Sequence, residues 1–185
     1  IAVGPGLPPT PHLERGLSWL LKNVSCPVVA DAGALTALAS MKKPLRLPSH
    51  WILTPHEGEL GKLLGVSGTE VRRDRRGSAL RGQEKWGGTL LLKGAGTLVV
   101  SEGKTTEITS GNAALAKAGT GDVLTGMIAG FLSQGLAPAQ AACLAAFVHG
   151  RIADQWLKEK KDILSLMASD ILSEIPTALA RLRKL

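Results

Sequence analysis

A glycine-rich turn that ends in a carboxylate, Gly119-Thr120-Gly121-Asp122, opens a predicted helix over residues 122–134. Its glycines let backbone amides approach an anion closely, and the helix N-terminus adds partial positive charge. Asp122 falls at the first helical position or at the N-cap, where it is either a plain helix cap or a base for a hydroxyl proton. An anion nest beside a base is the combination that phosphoryl transfer to a hydroxyl needs.

A second glycine-rich turn, Lys93-Gly94-Ala95-Gly96-Thr97, lies between a predicted buried strand and a predicted hairpin. It is not a Walker A loop, because the Gly-Lys-Ser/Thr ending and the following helix are absent. Two interpretations stay open. The turn is either an ordinary flexible loop or a flap near a nucleotide, in which Lys93 offsets phosphate charge.

A third segment, TPHEGE at residues 54–59, carries a strand into a helix with polar side chains at the junction. His56 is either a surface residue or helix cap, or a group that contacts a ligand, and the two glutamates suit the helix dipole without any function. The position at a strand's carboxyl end, opposite the anion nest, favours a site in which Glu59 holds Mg²⁺ through water. Turn chemistry alone explains Gly4-Pro5-Gly6 and Asp31-Ala32-Gly33.

Apolar runs of strand length alternate with helical patterns throughout the chain, which predicts parallel βαβ units. The predicted strands are residues 1–3, 27–31, 51–54, 89–93, 97–101 and 104–108, the last two as a hairpin. The predicted helices are residues 11–23, 33–41, 57–64, 70–86, 122–134, 138–159 and about 168–183. Because ligands bind outside the carboxyl ends of the strands in such sheets, we expect all of these turns along one edge of one sheet.

Length and composition restrict the class of protein. With 185 residues, 44% of them hydrophobic and 20% charged, the chain is expected to form one domain over residues 1–185. Two distant cysteines, Cys26 and Cys143, suggest neither a disulfide framework nor a metal site, and no apolar run is long enough to predict a membrane partner. A cytoplasmic location is therefore expected. We attribute the net charge of +7 to charged residues on solvated helix faces. Only 3% of the residues are aromatic, so side chains that could stack on bases are scarce and no nucleic-acid partner is expected.

Together, these motifs resemble those of the ADP- or ATP-dependent NAD(P)H-hydrate dehydratases, a branch of the ribokinase-like superfamily. The matching stretches are GPGL at 4–7, DAGAL at 31–35, LTPHEGELGKLLG at 53–65, LLKGAGT at 91–97 and GNAALAKAGTGDVLTGMIAGFLSQGL at 111–136. The resemblance implies a three-layer αβα ribokinase-like fold with a mostly parallel central sheet. It also implies a block before GPG that this numbering lacks, so the chain, which starts at Ile1, is expected to be the C-terminal portion of the family domain.

The resemblance further implies a repair reaction on hydrated NADH or NADPH, which carries a hydroxyl on C6 of the nicotinamide ring. ADP or ATP with Mg²⁺ phosphorylates this hydroxyl, and loss of phosphate restores the cofactor. Asp122 is implied as the base, and the amides of residues 119–122 as the groups that stabilise the transferring phosphoryl charge. The implied substrate contacts are Gly6, His56, Asn112 and Asp122, the implied nucleotide contacts are Lys93, Gly94, Ala95, Gly96, Thr97 and Gly121, and a homo-oligomer is expected.

The sequence departs from the family's pattern at two positions. Pro8 stands where GPGLG has its last glycine, and Gly33 stands where DADAL has a carboxylate, which puts one polar contact on the substrate side in doubt. His56-x-x-Glu59 replaces the sugar-kinase pattern Asn-x-x-Glu and favours the dehydratase branch. Two alternatives stay open: a kinase for a vitamin precursor or sugar, which leaves its phosphate on the product, and a catalytically silent nucleotide-binding module.

Overall fold

Six strands form one sheet in the computed structural model, which describes residues 1–41 and 45–183, and they cross the sheet in chain order. The strands are β1 Ala2–Val3, β2 Val28–Ala30, β3 Leu47–Leu53, β4 Gly87–Leu92, β5 Thr97–Ser101 and β6 Lys104–Ile108. β1 to β4 pair in parallel, whereas β5 pairs antiparallel with both of its neighbours, β4 and β6. Glu102 and Gly103 both have positive φ, at 50° and 71°, as a tight hairpin turn requires, and the predicted hairpin is confirmed.

Helices cover both faces of this sheet. Within the described residues they are α1 Pro11–Asn23, α2 Gly33–Ser40, α3 Glu57–Leu64, α4 Gly68–Arg73, α5 Arg75–Trp86, α6 Thr120–Ser133, α7 Pro138–Lys158 and α8 Ala168–Leu182. The first five pack on one face and the last three on the other, which confirms the three-layer αβα arrangement with a mostly parallel sheet. None of these helices is long and apolar enough to cross a membrane.

Side chains of the central strands alternate between two hydrophobic cores, because successive residues of a strand point to opposite faces of the sheet. In β2, Val28 and Ala30 pack under α1 to α5, while Val29 packs under α6 to α8, and all three are fully buried. Burial on both faces explains why β4 reads as an uninterrupted apolar run, LLL at residues 90–92. The two cores hold the strand ends in place, so the loops at those ends start from fixed positions.

The basic segment forms two helices, so the prediction of one helix over residues 70–86 is wrong. The first, α4, ends at Arg73, and the backbone of the next residue, Asp74, leaves the helical region with φ −136° and ψ 71°. The Asp74 carboxylate then accepts a hydrogen bond from Gly77 N at 2.9 Å and caps α5. A short carboxylate that bonds the backbone three residues ahead competes with helix continuation, and hydrophobic periodicity carries no signal of this break.

The loop after β1 is seated on the start of α2. Leu7 N donates to Gly4 O at 3.0 Å, which closes a turn, and the Leu7 carbonyl lies against Gly33. A Cβ atom at position 33 would lie 1.8 Å from Leu7 O and 3.2 Å from Gly4 O. Gly33, one of the two departures from the family's pattern, therefore lies against the residue that directly precedes the other, Pro8.

We expect Gly33→Ala to lower the free energy of unfolding by about 1–3 kcal/mol, because the new methyl group meets backbone carbonyls that move only with the loop. The matched control is Gly16→Ala in α1, where nothing lies within 4 Å of the Cβ position. That substitution should raise the free energy of unfolding by up to about 1 kcal/mol, through helix propensity. Urea unfolding measures both changes, and shifts of the same sign would contradict the seating of the loop.

Candidate functional site

The predicted site turns follow the carboxyl ends of the four parallel strands. Residues 4–6 follow β1, Asp31 follows β2, residues 54–56 follow β3, and the turn that begins at Lys93 follows β4. Because parallel strands point the same way, these turns share one edge of the sheet. The turn at 119–122 reaches the same edge because α6, which it opens, packs against β1 and β2. The expected placement along one edge is confirmed.

Asp31 is the best-connected side chain at this edge, and its interpretation as a plain turn residue is wrong. Its carboxylate is 1% exposed. Oδ1 accepts from Lys93 Nζ at 2.8 Å and from Ala32 N at 2.8 Å, and Oδ2 accepts from Thr125 Oγ1 at 2.8 Å. Three elements, β2, β4 and α6, are therefore joined through one buried carboxylate. In the sequence, the position of Asp31 at the end of a buried strand was the signal for a role at this edge. The identity of its hydrogen-bond partners could not be read from the sequence.

Lys93 places its ammonium group beside the turn at 119–122. Besides its ion pair with Asp31, its Nζ lies 3.7 Å from Glu59 Oε2. A Cβ atom at Gly121 would lie 3.5 Å from the same Nζ, so the ammonium group stands directly beside the turn that opens α6. The structure thus brings together one nucleotide-site candidate from each glycine-rich turn with the Mg²⁺ candidate Glu59.

His56 caps α3 and keeps its ring exposed at the sheet edge. Its Nδ1 accepts from Gly58 N at 3.0 Å and from Glu59 N at 3.3 Å, while Glu59 Oε2 accepts from His56 N at 2.9 Å. This reciprocal capping box fixes the orientation of the ring, and Nε2 lies 3.5 Å from Glu59 Oε2. The side chain is 58% exposed. His56 is therefore a helix cap with an exposed, oriented ring at the site edge.

The turn at 119–122 differs in register from its prediction. α6 begins at Thr120 rather than Asp122, with Gly119 as an N-cap in the left-handed region at φ 84° and no side-chain cap. Asp122 is thus the third helical residue, not the first or the cap. The amide of Thr120 points to Lys117 O at 3.4 Å, whereas the amides of Gly121 and Asp122 have no acceptor within the part of the chain that the structure describes.

The Asp122 side chain is exposed and forms no hydrogen bond with the described residues. It stands at the rim of a largely apolar groove between α6 and α8, whose walls include Met127 and Leu179. Of the two roles that the sequence left open, the plain helix cap does not match this geometry. A carboxylate that no neighbouring group occupies is available to accept a proton.

The Thr120 side chain points inward and anchors the turn. Its hydroxyl lies 2.7 Å from Leu115 O and 2.9 Å from Lys117 O, and the residue is 5% exposed. His149 of α7 contacts the same residue from the buried side, with Nε2 3.0 Å from Thr120 O. Burial lowers the pKa of His149 to about 4, although its bond to Thr120 O acts in the opposite direction. The neutral ring therefore donates through Nε2–H, and no local pattern in the sequence identified it.

Asn112 and Gly6, the two remaining substrate-site candidates, lie in loops. The Asn112 amide donates to Asp154 Oδ1 at 3.2 Å and accepts from Ala114 N at 3.0 Å, so it ties its own loop to α7. Gly6 has φ 71°, is exposed, and has open space beside its Cα. Contact with a substrate stays a prediction for both residues.

The metal candidate rests on one carboxylate. Among residues 1–41 and 45–183, no three His, Cys, Asp or Glu side chains are grouped to hold a metal ion. Mg²⁺ commonly keeps several waters and binds one or two carboxylates together with substrate phosphates. The single carboxylate of Glu59, beside Lys93 and the nest, fits an ion held in that way.

Comparison with known proteins places this geometry in a family context. The family model described as NAD(P)H-hydrate dehydratase matches residues 1–177. A bifunctional NAD(P)H-hydrate repair enzyme, Nnr, from Moorella thermoacetica is 39% identical over 187 residues, covering 100% of this chain and 35% of the relative. The chain thus spans about a third of the length of that relative.

Solved structures agree with the predicted fold. The ADP/ATP-dependent NAD(P)H-hydrate dehydratase of Bacillus subtilis, co-crystallised with ATP and Mg²⁺, matches with a TM-score of 0.88 at 36% identity, covering 98% of this chain and 64% of that one. A ribokinase-like superfamily protein of Enterococcus faecalis matches with a TM-score of 0.84 at 27% identity, covering 98% of this chain and 62% of that one. The ribokinase-like fold is confirmed.

The buried ion pair predicts a specific pattern of stability changes. Lys93→Met should lower the free energy of unfolding by about 3–5 kcal/mol, because it leaves a buried carboxylate without its countercharge. Adding Asp31→Asn should recover part of that loss, so the double variant should be less destabilised than the sum of the two single variants. Urea unfolding of the four proteins gives the coupling energy.

The exposed pair of Arg81 and Asp74, at 3.2 Å with side chains 52% and 57% exposed, is the control for that cycle. Arg81→Ala should cost less than about 1 kcal/mol, because water screens the pair. Additive effects of the Lys93 and Asp31 substitutions would contradict the coupling.

The lowered pKa of His149 predicts that the free energy of unfolding depends on pH. Its folded pKa of about 4 lies below its ordinary value of 6.5, so the unfolded chain binds the proton more tightly. The resulting stability, on the order of 3 kcal/mol, is present above the unfolded pKa and is lost as pH falls from about 6.5 through about 4. His149→Gln, which keeps a donor, should flatten the slope of unfolding free energy against pH in this window. Equal slopes for wild type and His149→Gln would refute this origin.

Proposed function

The chain belongs to the NAD(P)H-hydrate dehydratase family, and we propose on this basis that it converts hydrated NADH or NADPH back to the reduced cofactor at the expense of ADP or ATP. The observation that carries the proposal is the placement of three groups in and beside the first turn of α6. These groups are the open amides of Gly121 and Asp122, the Lys93 ammonium beside them, and an Asp122 carboxylate that no neighbour occupies.

The first step is transfer of the terminal phosphoryl group to the C6 hydroxyl of the hydrated nicotinamide ring. Asp122 accepts the hydroxyl proton as the new O–P bond forms and the bond from phosphorus to the nucleotide breaks. The amides of Gly121 and Asp122, at the positive end of α6, donate to the phosphoryl oxygens. Lys93 adds positive charge on the side of Gly121.

The second step is elimination. The C–O bond to C6 breaks, phosphate leaves with the bonding electrons, and the neighbouring ring carbon loses a proton, which restores the double bond. Phosphate is a far better leaving group than hydroxide, which is the chemical reason for using a nucleotide. Mg²⁺, for which Glu59 is the candidate carboxylate through water, would neutralise phosphate charge when bound.

On the substrate side, the proposal assigns dinucleotide contacts to Gly6, His56 and Asn112. His56 is suited to such a contact because its capping bonds fix the ring in one orientation while more than half of the side chain stays exposed. The seating of Leu7 on Gly33 fills the space beside α2 where the family's pattern has a carboxylate, so we infer that this chain does without that contact.

The nucleotide is proposed to lie over the turn at 93–97, with Gly121 at its phosphate end. The relative from Bacillus subtilis bears the description ADP/ATP-dependent. The proposal includes either nucleotide as donor, because the groups named here contact features that ADP and ATP share. A cytoplasmic location and a homo-oligomeric state stay predictions.

Asp122→Asn should lower the rate of cofactor recovery by about 10²–10⁴-fold, because it removes the proton acceptor while keeping the shape of the side chain. Nucleotide affinity should be retained, since the amides of α6 are unchanged. The assay incubates the full-length protein with hydrated NADH and ADP or ATP, and follows the absorbance of the reduced nicotinamide.

Asp170→Asn is the matched control, because Asp170 is the third residue of α8 as Asp122 is of α6. This variant should keep its activity. No recovery of NADH by the wild type with either nucleotide would reject the dehydratase proposal. A phosphorylated product that accumulates would identify a small-molecule kinase instead, and equal activity of Asp122→Asn and wild type would exclude Asp122 as the base.

A further inference from the structure

Arg75 is placed by the helix break at Asp74. It is the first residue of α5, and its side chain is only 19% exposed although it belongs to the basic segment RRDRR. The other arginine that shares its partner, Arg72, is 73% exposed. A first helical residue has no preceding turn beneath it, so its side chain is free to point away from α5. In this structure it points to the turn at 93–97.

The Arg75 guanidinium spans that turn. Nη1 donates to Lys93 O at 3.4 Å, and Nη2 donates to Gly96 O at 3.3 Å, so the two ends of the turn are held by one rigid group. Gly94, with φ 137°, lies flat against the guanidinium, because a Cβ atom there would be 2.6 Å from Nη1. The turn is therefore shaped around the arginine.

Glu57 fixes the position of that arginine. Glu57 Oε1 accepts from Arg75 Nη1 at 2.6 Å, and Oε2 accepts from Arg72 Nε at 2.7 Å. Partial burial raises the pKa of Glu57, but its hydrogen bonds and ion pairs with both arginines outweigh burial and hold the pKa below its usual range. A carboxylate at the start of α3 thus orients the guanidinium towards the loop.

We propose that Arg75 is a positioning residue for nucleotide binding, which it serves by holding the turn at 93–97 in its bound shape. The inference rests on the proposed function, which assigns that turn to ADP or ATP. Binding to a preformed loop avoids the entropic cost of ordering it, so loss of the arginine acts on nucleotide affinity. A planar guanidinium bonds Glu57 and two carbonyls at once, a geometry that an ammonium group does not reproduce.

The test titrates ADP and ATP, each with Mg²⁺, into the full-length protein by calorimetry and measures steady-state kinetics for both substrates. Arg75→Ala should weaken nucleotide binding by about tenfold or more, while the KM for hydrated NADH changes by less than about twofold. Arg72→Ala is the matched control, because it removes the same charge from the same carboxylate but touches no loop carbonyl. It should leave nucleotide affinity within about twofold of wild type.

Arg75→Lys is a second variant that keeps the positive charge and the fold, and it serves if Arg75→Ala does not fold. Its nucleotide affinity should also fall, because charge alone does not bridge the turn. Equal affinities in Arg75→Lys, Arg72→Ala and wild type would overturn the inference and leave the proposed function intact. A parallel loss of affinity for both substrates would also overturn it, since that result indicates a general structural role. Failure of the wild type to bind either nucleotide would reject the proposed function itself.

Discussion

The ion pair between Asp31 and Lys93 is the interaction on which the rest of the site depends. A carboxylate that is 1% exposed is stable in the folded chain only if its charge is compensated, and Lys93 and Thr125 provide that compensation. Since these groups come from the ends of β2 and β4 and from α6, satisfying one charge fixes the helix that carries the anion nest against the sheet. The same ion pair also keeps Lys93 beside Gly121, so no additional residue has to be ordered there.

Both glycine-rich turns are braced through their backbone carbonyls, and the braces come from opposite layers of helices. Arg75, from the layer of α1 to α5, holds the carbonyls of Lys93 and Gly96. His149, from the layer of α6 to α8, holds the carbonyl of Thr120. Each turn is therefore held in shape by a side chain of the helix layer on its own side of the sheet.

Structural and chemical roles coincide in several of these groups. His56 caps α3, and the same capping bonds fix the orientation of its exposed ring at the sheet edge. Gly119 adopts the left-handed conformation that starts α6, and this start puts Asp122 in the third position with its carboxylate unoccupied. A residue at such a position can stabilise the fold and serve the function as well. Its presence in the sequence therefore does not show which of the two roles it has.

The sequence by itself determined the features that arise from short-range geometry. Apolar runs and helical periodicity predicted the alternating elements, the Glu102-Gly103 turn predicted its hairpin, and the glycine-rich turns marked the site edge. The break at Asp74 and the register of α6 were missed, because side-chain capping and a left-handed glycine outweighed periodicity there. Only the tertiary structure decided which groups meet. The side chains that bond Asp31 lie 62 and 94 residues away, and such pairs depend on strand order and helix packing, which no local pattern encodes.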